Sequence, residues 1–167
     1  MKILITGGLG YIGSHAVIEA AKANHNIVIV DNCINSDPKI HKILENYLKV
    51  KIDFYHKDVR DDKQIEEILK KHEIECVIHF AGLKSVSESG LKPLQYYDNN
   101  FVGSIKLLQA MEKQNVKKII FSSSATVYGM PKSIPIQEDH ELNPINIYGL
   151  TKKIIEELIF NYSSSHK

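Results

Sequence analysis

Short β-branched runs alternate with longer amphipathic stretches along the whole chain, and that alternation leaves few architectures open. The runs at 2–6, 26–30, 51–55, 76–80 and 118–121 read as strands, and the stretches at 11–23, 97–114 and 147–160 as helices. A further helix opens at Asp61-Asp62-Lys63-Gln64, where Asp61 can cap and Gln64 can reach back, with Ile65, Ile68 and Leu69 on one face. Ile27, Val28, Ile29 and Val30 form an unbroken apolar run, the pattern of a parallel strand covered on both sides. Pro131, Pro135 and Pro144 mark a loop stretch ahead of the last helix.

The 167 residues, 43% of them hydrophobic, suffice for one substantial core and leave little room for a second full domain. A formal net charge of +1 with dispersed signs points to no nucleic-acid partner and no anionic membrane surface. Cys33 and Cys76 stand outside any CxxC arrangement, as in a reduced intracellular protein. The opening MKILITGG is too short an apolar run for a signal peptide or a membrane span. A soluble, cytoplasmic protein is the expectation.

Gly7-Gly8-Leu9-Gly10-Tyr11-Ile12-Gly13 lies directly between the first strand and the first helix. Gly7 suits the sharp turn, Gly10 lets backbone approach a pyrophosphate, and Gly13 lets helix and sheet pack closely. The spacing is GxxGxxG, a variant of the dinucleotide fingerprint, and a purely structural turn is the competing reading. Asp31 follows the second strand, where a carboxylate can accept from both ribose hydroxyls of adenosine and disfavours a 2′-phosphate, so NAD is expected over NADP. It also fits a residue that caps the next turn. Asp58 can meet the adenine edge or merely start a turn, and Phe80-Ala81-Gly82 places small residues on the same sheet edge. The fold class expected is therefore α/β, a Rossmann-type doubly wound parallel sheet in three layers, αβα. Five strands are legible where such a sheet has six, so residues 1–167 read as an incomplete NAD-binding Rossmann domain.

Tyr148 and Lys152 are four apart on the last helix and share a face. An ammonium beside a phenol favours the phenolate, which makes Tyr148 a candidate general base for a hydroxyl proton. Ser124, at the end of the fifth strand, can hydrogen-bond the reacting oxygen. A tyrosine that simply packs the helix on the sheet is the alternative. His79, in an apolar strand, reads as a satisfied core histidine; Tyr96 and Tyr97 read as packing residues. No His, Cys or carboxylate cluster has metal-ligand spacing.

With these residues in hand, the chain resembles the extended short-chain dehydrogenase/reductases, and within them the N-terminal half of the UDP-glucose 4-epimerase family. The segments that carry the resemblance are ITGGLGYIGSH at 5–15, VIHFAGLKSVSES at 77–89, YYDNN at 96–100, FSSSATVYG at 121–129 and Tyr148 to Lys152. The resemblance implies NAD held by Gly7, Gly10, Tyr11, Ile12, Asp31, Asn32, Asn35, Ser36, Asp58, Val59, Phe80, Ala81, Gly82, Lys84, Asn99, Ser122, Tyr148 and Lys152, beside Gly13 of the turn. It implies a UDP-sugar facing Ser124, Ala125, Thr126 and Tyr148, with Tyr148, Lys152 and Ser124 catalytic, and interconversion of UDP-galactose and UDP-glucose by transient oxidation at C4′. Relatives that dehydrate nucleotide sugars carry an Asp-Glu pair after the threonine, where this chain has Ser124-Ala125-Thr126-Val127. A nucleotide-sugar reductase or dehydratase is one alternative; an NAD-binding fragment without turnover is another. The family's C-terminal substrate-binding part has no counterpart in this sequence, and an uncovered sheet edge and helix face make a homodimer or other self-association the expected assembly.

Overall fold

The computed structural model describes residues 1–165. Its secondary structure begins with β1 (Lys2–Thr6), α1 (Tyr11–Lys22), β2 (Asn26–Asp31), α2 (Lys39–Leu48), β3 (Asp53–His56), α3 (Asp62–His72) and β4 (Cys76–His79). Then come α4 (Val86–Leu91), α5 (Pro93–Tyr96), a π-helical segment (Tyr97–Val102), α6 (Gly103–Lys113), β5 (Lys118–Phe121), a 3-10 turn (Ala125–Tyr128) and α7 (Ile147–Ser165). They group into two compact units, one of Met1–Ala81 with Gly103–Ser122, the other of Gly82–Val102 with the chain from Ser123 onward.

The first unit is a three-layer αβα sandwich. Its five strands are parallel in the order β3-β2-β1-β4-β5, with β1 in register against β2 from Lys2 opposite Asn26 to Thr6 opposite Val30. Ile3, Ile5, Ile27, Ile29 and Cys76 share one buried cluster with Val17 of α1 and Leu44 of α2. Leu4, Val28, Val30 and Val77, equally buried, point to the opposite face because side chains alternate along a strand. On the helical layers, α1 lies against α2 and α3 against α6. The apolar run of β2 is thus covered on both sides, as its composition requires.

Strands β1 and β5 have the boundaries read from sequence; β3 starts two residues later than expected, and β4 ends at His79. Asp61 caps α3 by accepting from Gln64 N at 3.1 Å, and the Gln64 amide returns to the Asp61 carboxylate itself. Helix α2 has no counterpart in the sequence reading. Leu44 faces the core at 3% exposure and Lys39, Lys42 and Asn46 recur at helical spacing on the exposed side, where Ile43 and Tyr47 are each 62% exposed.

The single helix expected over 97–114 is instead the π-helical segment, in the second unit, followed by α6, in the first. Within the π-helical segment, Asn99 and Asn100 are both buried, at 8% and 2% exposure. Helix α7 continues to Ser165, past the boundary expected at 160; the end of the stretch read as terminal, residues 166–167, lies outside the described residues. Among the described residues, no helix is long and apolar enough to cross a membrane.

Candidate functional site

In the first unit the candidate residues of the glycine turn are set by backbone contacts. Gly7 sits at φ +68°, and a Cβ there would come within 2.7 Å of Ala81 N at the end of the β4 edge. A Cβ on Gly13 would lie 2.1 Å from Gly7 O, so α1 begins in contact with the turn that precedes it. Around Gly10 the only atom within 4 Å of such a Cβ is Gly7 O at 3.3 Å, and α1 starts with no side-chain cap and no acidic residue in its first turn. Its first amides are therefore not offset by a carboxylate of the helix's own. Tyr11 and Ile12, at its start, are 77% and 61% exposed. Gly8, which the sequence reading passed over, has Ile29 Cγ2 2.9 Å from where a Cβ would be.

Asp31 ends β2 nearly buried, and both carboxylate oxygens are engaged. Oδ2 accepts from Leu9 N of the glycine turn at 3.0 Å, and Oδ1 from Cys33 N and Ser36 Oγ at 2.9 Å each. One carboxylate thus ties the glycine turn to the loop after β2, which is the local capping read as the alternative for this residue. Asp58 accepts from Arg60 and from Asn32 Nδ2, and it does start a turn, with Arg60 N bonded to Oδ1 at 2.9 Å. Val59 is buried against Gly103, where a Cβ would stand 3.1 Å from Val59 Cγ2. His79 is a core residue: Nδ1 lies 2.6 Å from Thr6 Oγ1 and Nε2 3.0 Å from Ser104 Oγ. Ser122 N closes this edge by bonding to His79 O at 3.1 Å. Asn35, Ser36 and Asn32 lie together on the loop after β2, and Phe80 and Ala81 follow β4.

The second unit builds its part from side chains. Ser124 Oγ accepts from Thr126 N at 3.3 Å and from Thr126 Oγ1 at 2.9 Å, opening the 3-10 turn. Ala125 is exposed and Val127 is buried. Ser123 Oγ, beside it, is buried and has no hydrogen-bond partner. Asn146 caps the start of α7, its Oδ1 accepting from Gly149 N at 2.7 Å. A Cβ on Gly149 would lie 2.7 Å from Thr126 O, so the residue after Tyr148 lies against the turn that carries Ser124 and Thr126. Gly149 is a site residue the sequence reading missed; a glycine one residue inside the YxxxK pattern was its signal.

Lys152 is 5% exposed, and its Nζ stands 5.9 Å from the centre of the Tyr148 ring. Burial pushes its ammonium down to about 8, against a smaller opposing pull from Glu156. Asn100 was also missed. Its Oδ1 accepts from Leu83 N at 2.8 Å, and its Nδ2 donates to Leu83 O at 3.0 Å and to Thr151 Oγ1 at 3.2 Å. Thr151 in turn donates to Tyr148 O at 2.7 Å. Gly82 leaves room for this amide, since a Cβ there would meet Asn100 Oδ1 at 3.2 Å. Lys84 is exposed on the following loop, and Asn99 is buried in the π-helical segment. Among the described residues no group of His, Cys, Asp and Glu side chains could hold a metal ion.

A model of the GDP-mannose 4,6 dehydratase family matches residues 4–167. The chain belongs to that family, within the extended short-chain dehydrogenase/reductases. It is 48% identical over 164 residues to a UDP-glucose 4-epimerase of Dictyostelium discoideum, covering 98% of this chain and 48% of that protein. Against the UDP-glucose 4-epimerase of Yersinia enterocolitica it is 47% identical over 167 residues, covering 99% and 50%. A crystal structure of the Stenotrophomonas maltophila UDP-glucose-4-epimerase, with NAD and formylated UDP-arabinopyranose bound, superposes with a TM-score of 0.97 at 41% identity, over 100% of this chain and 50% of that one. The Bifidobacterium longum enzyme in complex with NAD+ and UDP gives 0.96 at 42%, over 99% and 50%. The chain spans about half the length of the curated relatives it matches.

Proposed function

We propose that this chain is the NAD-binding, base-bearing part of a UDP-glucose 4-epimerase, acting on UDP-galactose and UDP-glucose. The observation that carries the reading is the pair on α7, a buried ammonium on the face of the Tyr148 ring, on a helix packed through Gly149 against the turn of Ser124. The relatives named above support it, and two of the structures that superpose were solved with NAD bound.

The residues present fit NAD. The turn at Gly7–Gly13 is open outward at Gly10, α1 presents an uncapped start, and Asp31 stands at the end of β2. In this reading the glycine turn holds the pyrophosphate, Asp31 the adenosine ribose, and Lys152 the ribose on the nicotinamide side. When bound, NAD supplies the acceptor, and then the donor, of the hydride at C4′ of the sugar. Tyr148, as phenolate, takes the proton of the 4′-hydroxyl and later returns it. Lys152, as the ammonium, favours that phenolate. Ser124 Oγ accepts from Thr126, so its own proton is left to donate to the reacting oxygen. A 4′-keto sugar that turns over and is reduced on its other face leaves as the epimer, with no net oxidation. Dehydration would need acid–base groups for loss of water, and the turn has Ala125 and Thr126 after Ser124 where the dehydrating relatives carry an Asp-Glu pair.

The test is to give the purified chain UDP-galactose, follow UDP-glucose, and record bound NAD and intact mass on the same sample. Turnover at the verified mass is the expected result. NAD retained without turnover would keep the cofactor assignment and overturn epimerisation by this chain; failure to hold NAD would overturn both.

A further inference from the structure

Strand β3, at one edge of the sheet, brings together four side chains that the proposed function leaves unused. Asp53 and Tyr55 are two apart on that strand and share a face, and the last turn of α3, with Lys71 and His72, returns over it. Tyr55 Oη lies 2.8 Å from His72 Nε2, and Lys71 Nζ donates to the same oxygen at 2.9 Å. His72 Nδ1 stands 3.7 Å from Asp53 Oδ2. The tyrosine and histidine rings meet edge to face with their centres 5.6 Å apart, and Lys71 Nζ is 5.4 Å from the centre of the tyrosine ring.

These contacts assign the protons. The Asp53 carboxylate favours the imidazole proton on Nδ1, which leaves the lone pair of Nε2 to the phenol. The Tyr55 hydroxyl therefore donates to His72 and accepts from Lys71. Bonding to Tyr55 raises the Lys71 ammonium above its ordinary value, so it remains a donor throughout neutral pH. A hydroxyl that gives its proton to a base, with the base oriented by a third group, is the arrangement that makes an oxygen nucleophilic. The ammonium beside it stabilises the negative charge that the oxygen gathers as the proton leaves. Asp53, Lys71 and His72 also line a cavity of about 640 Å³, which gives a small molecule room beside the cluster.

We infer that Tyr55 is a nucleophile, and that its phenolic oxygen accepts an acyl group from a small activated acyl donor. In that step the Oη–H bond breaks and its proton passes to His72 Nε2. The bond from Oη to the acyl carbon forms, and the bond from that carbon to the leaving group breaks, its electron pair departing with the leaving group. The four side chains lie within the first unit, and the inference stands apart from the NAD reading.

The test treats the folded chain with N-acetylimidazole and follows acetylation of each tyrosine by peptide mass spectrometry. Hydroxylamine removes O-acetyl groups and so distinguishes them from acetyl-lysine. Each rate is divided by that of the same tyrosine in the urea-unfolded chain. Exposure alone puts Tyr47, at 62%, ahead of the partly buried Tyr55. The expected result is the reverse, with Tyr55 about tenfold faster than Tyr47. His72→Phe keeps a ring and removes the base, and should bring Tyr55 below Tyr47. If that variant does not fold, Asp53→Asn, at an exposed position, replaces it and should slow Tyr55 about threefold by loosening the histidine. Tyr47 ahead of Tyr55 in the unaltered chain overturns the inference and leaves the histidine bond as a tie between β3 and α3. Hydroxylamine-resistant acetyl on Lys71 with Tyr55 unlabelled overturns it equally, as does a Tyr55 rate unchanged in the variant that folds.

Discussion

The glycine turn after β1 and the start of α7 both depend on glycine, yet they use it differently. At Gly7 and Gly13 the missing side chains let backbone touch backbone, and the result is a surface of amides and small atoms. At Gly149 the missing side chain lets α7 lie against Thr126 O, and what that contact serves is a set of side chains: Tyr148, Lys152, Ser124 and their supports Asn100 and Thr151. In the proposed function the first region binds by shape and the second reacts by chemistry. A shape made by backbone tolerates no added atom, whereas a side-chain network tolerates changes of shape poorly and changes of functional group not at all.

Changes in the two regions should therefore separate binding from turnover. The largest effect is expected from Tyr148→Phe, which removes the acid–base group and keeps the ring: conversion of UDP-galactose should fall about 10³-fold while bound NAD is unchanged. A parallel loss of NAD would mean that Tyr148 serves binding and not chemistry. Gly149→Ala comes next, because its Cβ would stand 2.7 Å from Thr126 O and push the helix start away from the serine turn. Turnover should drop about 100-fold with NAD content again preserved. Gly13→Ala is the counterpart in the first unit. There the Cβ would meet Gly7 O at 2.1 Å, so NAD affinity should weaken about tenfold, with a loss of about 1–3 kcal/mol in denaturant unfolding. If Gly13→Ala spared NAD and Gly149→Ala lost it, the contrast between the regions would be reversed.

The smallest effect is a pH dependence. Burial lowers the Lys152 ammonium to about 8, below its ordinary value, so the positive charge that the proposed function places beside the Tyr148 ring is lost as pH rises through that range. Turnover should decline several-fold between about pH 7.5 and 9, and Lys152→Arg should remove that decline because a guanidinium stays charged. The sign for stability is opposite. Between about 8 and the ordinary lysine value the unfolded chain binds the proton that the folded one has released, so this residue's contribution to stability rises with pH. Urea unfolding across that window would detect it.

Much of the first unit was legible from local pattern. The ends of β1, the apolar β2 with Asp31 at its end, and the turn glycines follow from periodicity and from which backbone conformations need glycine. Helix α2 was not read from the sequence, although Lys39, Lys42 and Asn46 recur at helical spacing opposite Ile40 and Leu44; the exposed Ile43 and Tyr47 add apolar residues outside that face. The π-helical segment was not legible either. Asn99 and Asn100 are both buried within it, and nothing in the spacing along the chain distinguishes a widened turn from a regular one.

The sequence by itself determined the α/β alternation, the parallel sheet, the candidate pair Tyr148 and Lys152, and the acidic residue after β2, because each is written in neighbours along the chain. Tertiary structure alone decided that Gly149 must be small, that Asn100 bonds Leu83 and Thr151, that Arg60 clamps Asp58 against Asn32, and that Lys152 is buried enough to release its proton near 8. The physical reason is the same in each case. Close packing, desolvation and the filling of a carboxylate's acceptor positions depend on atoms that folding brings together, and no spacing along the chain encodes their distances.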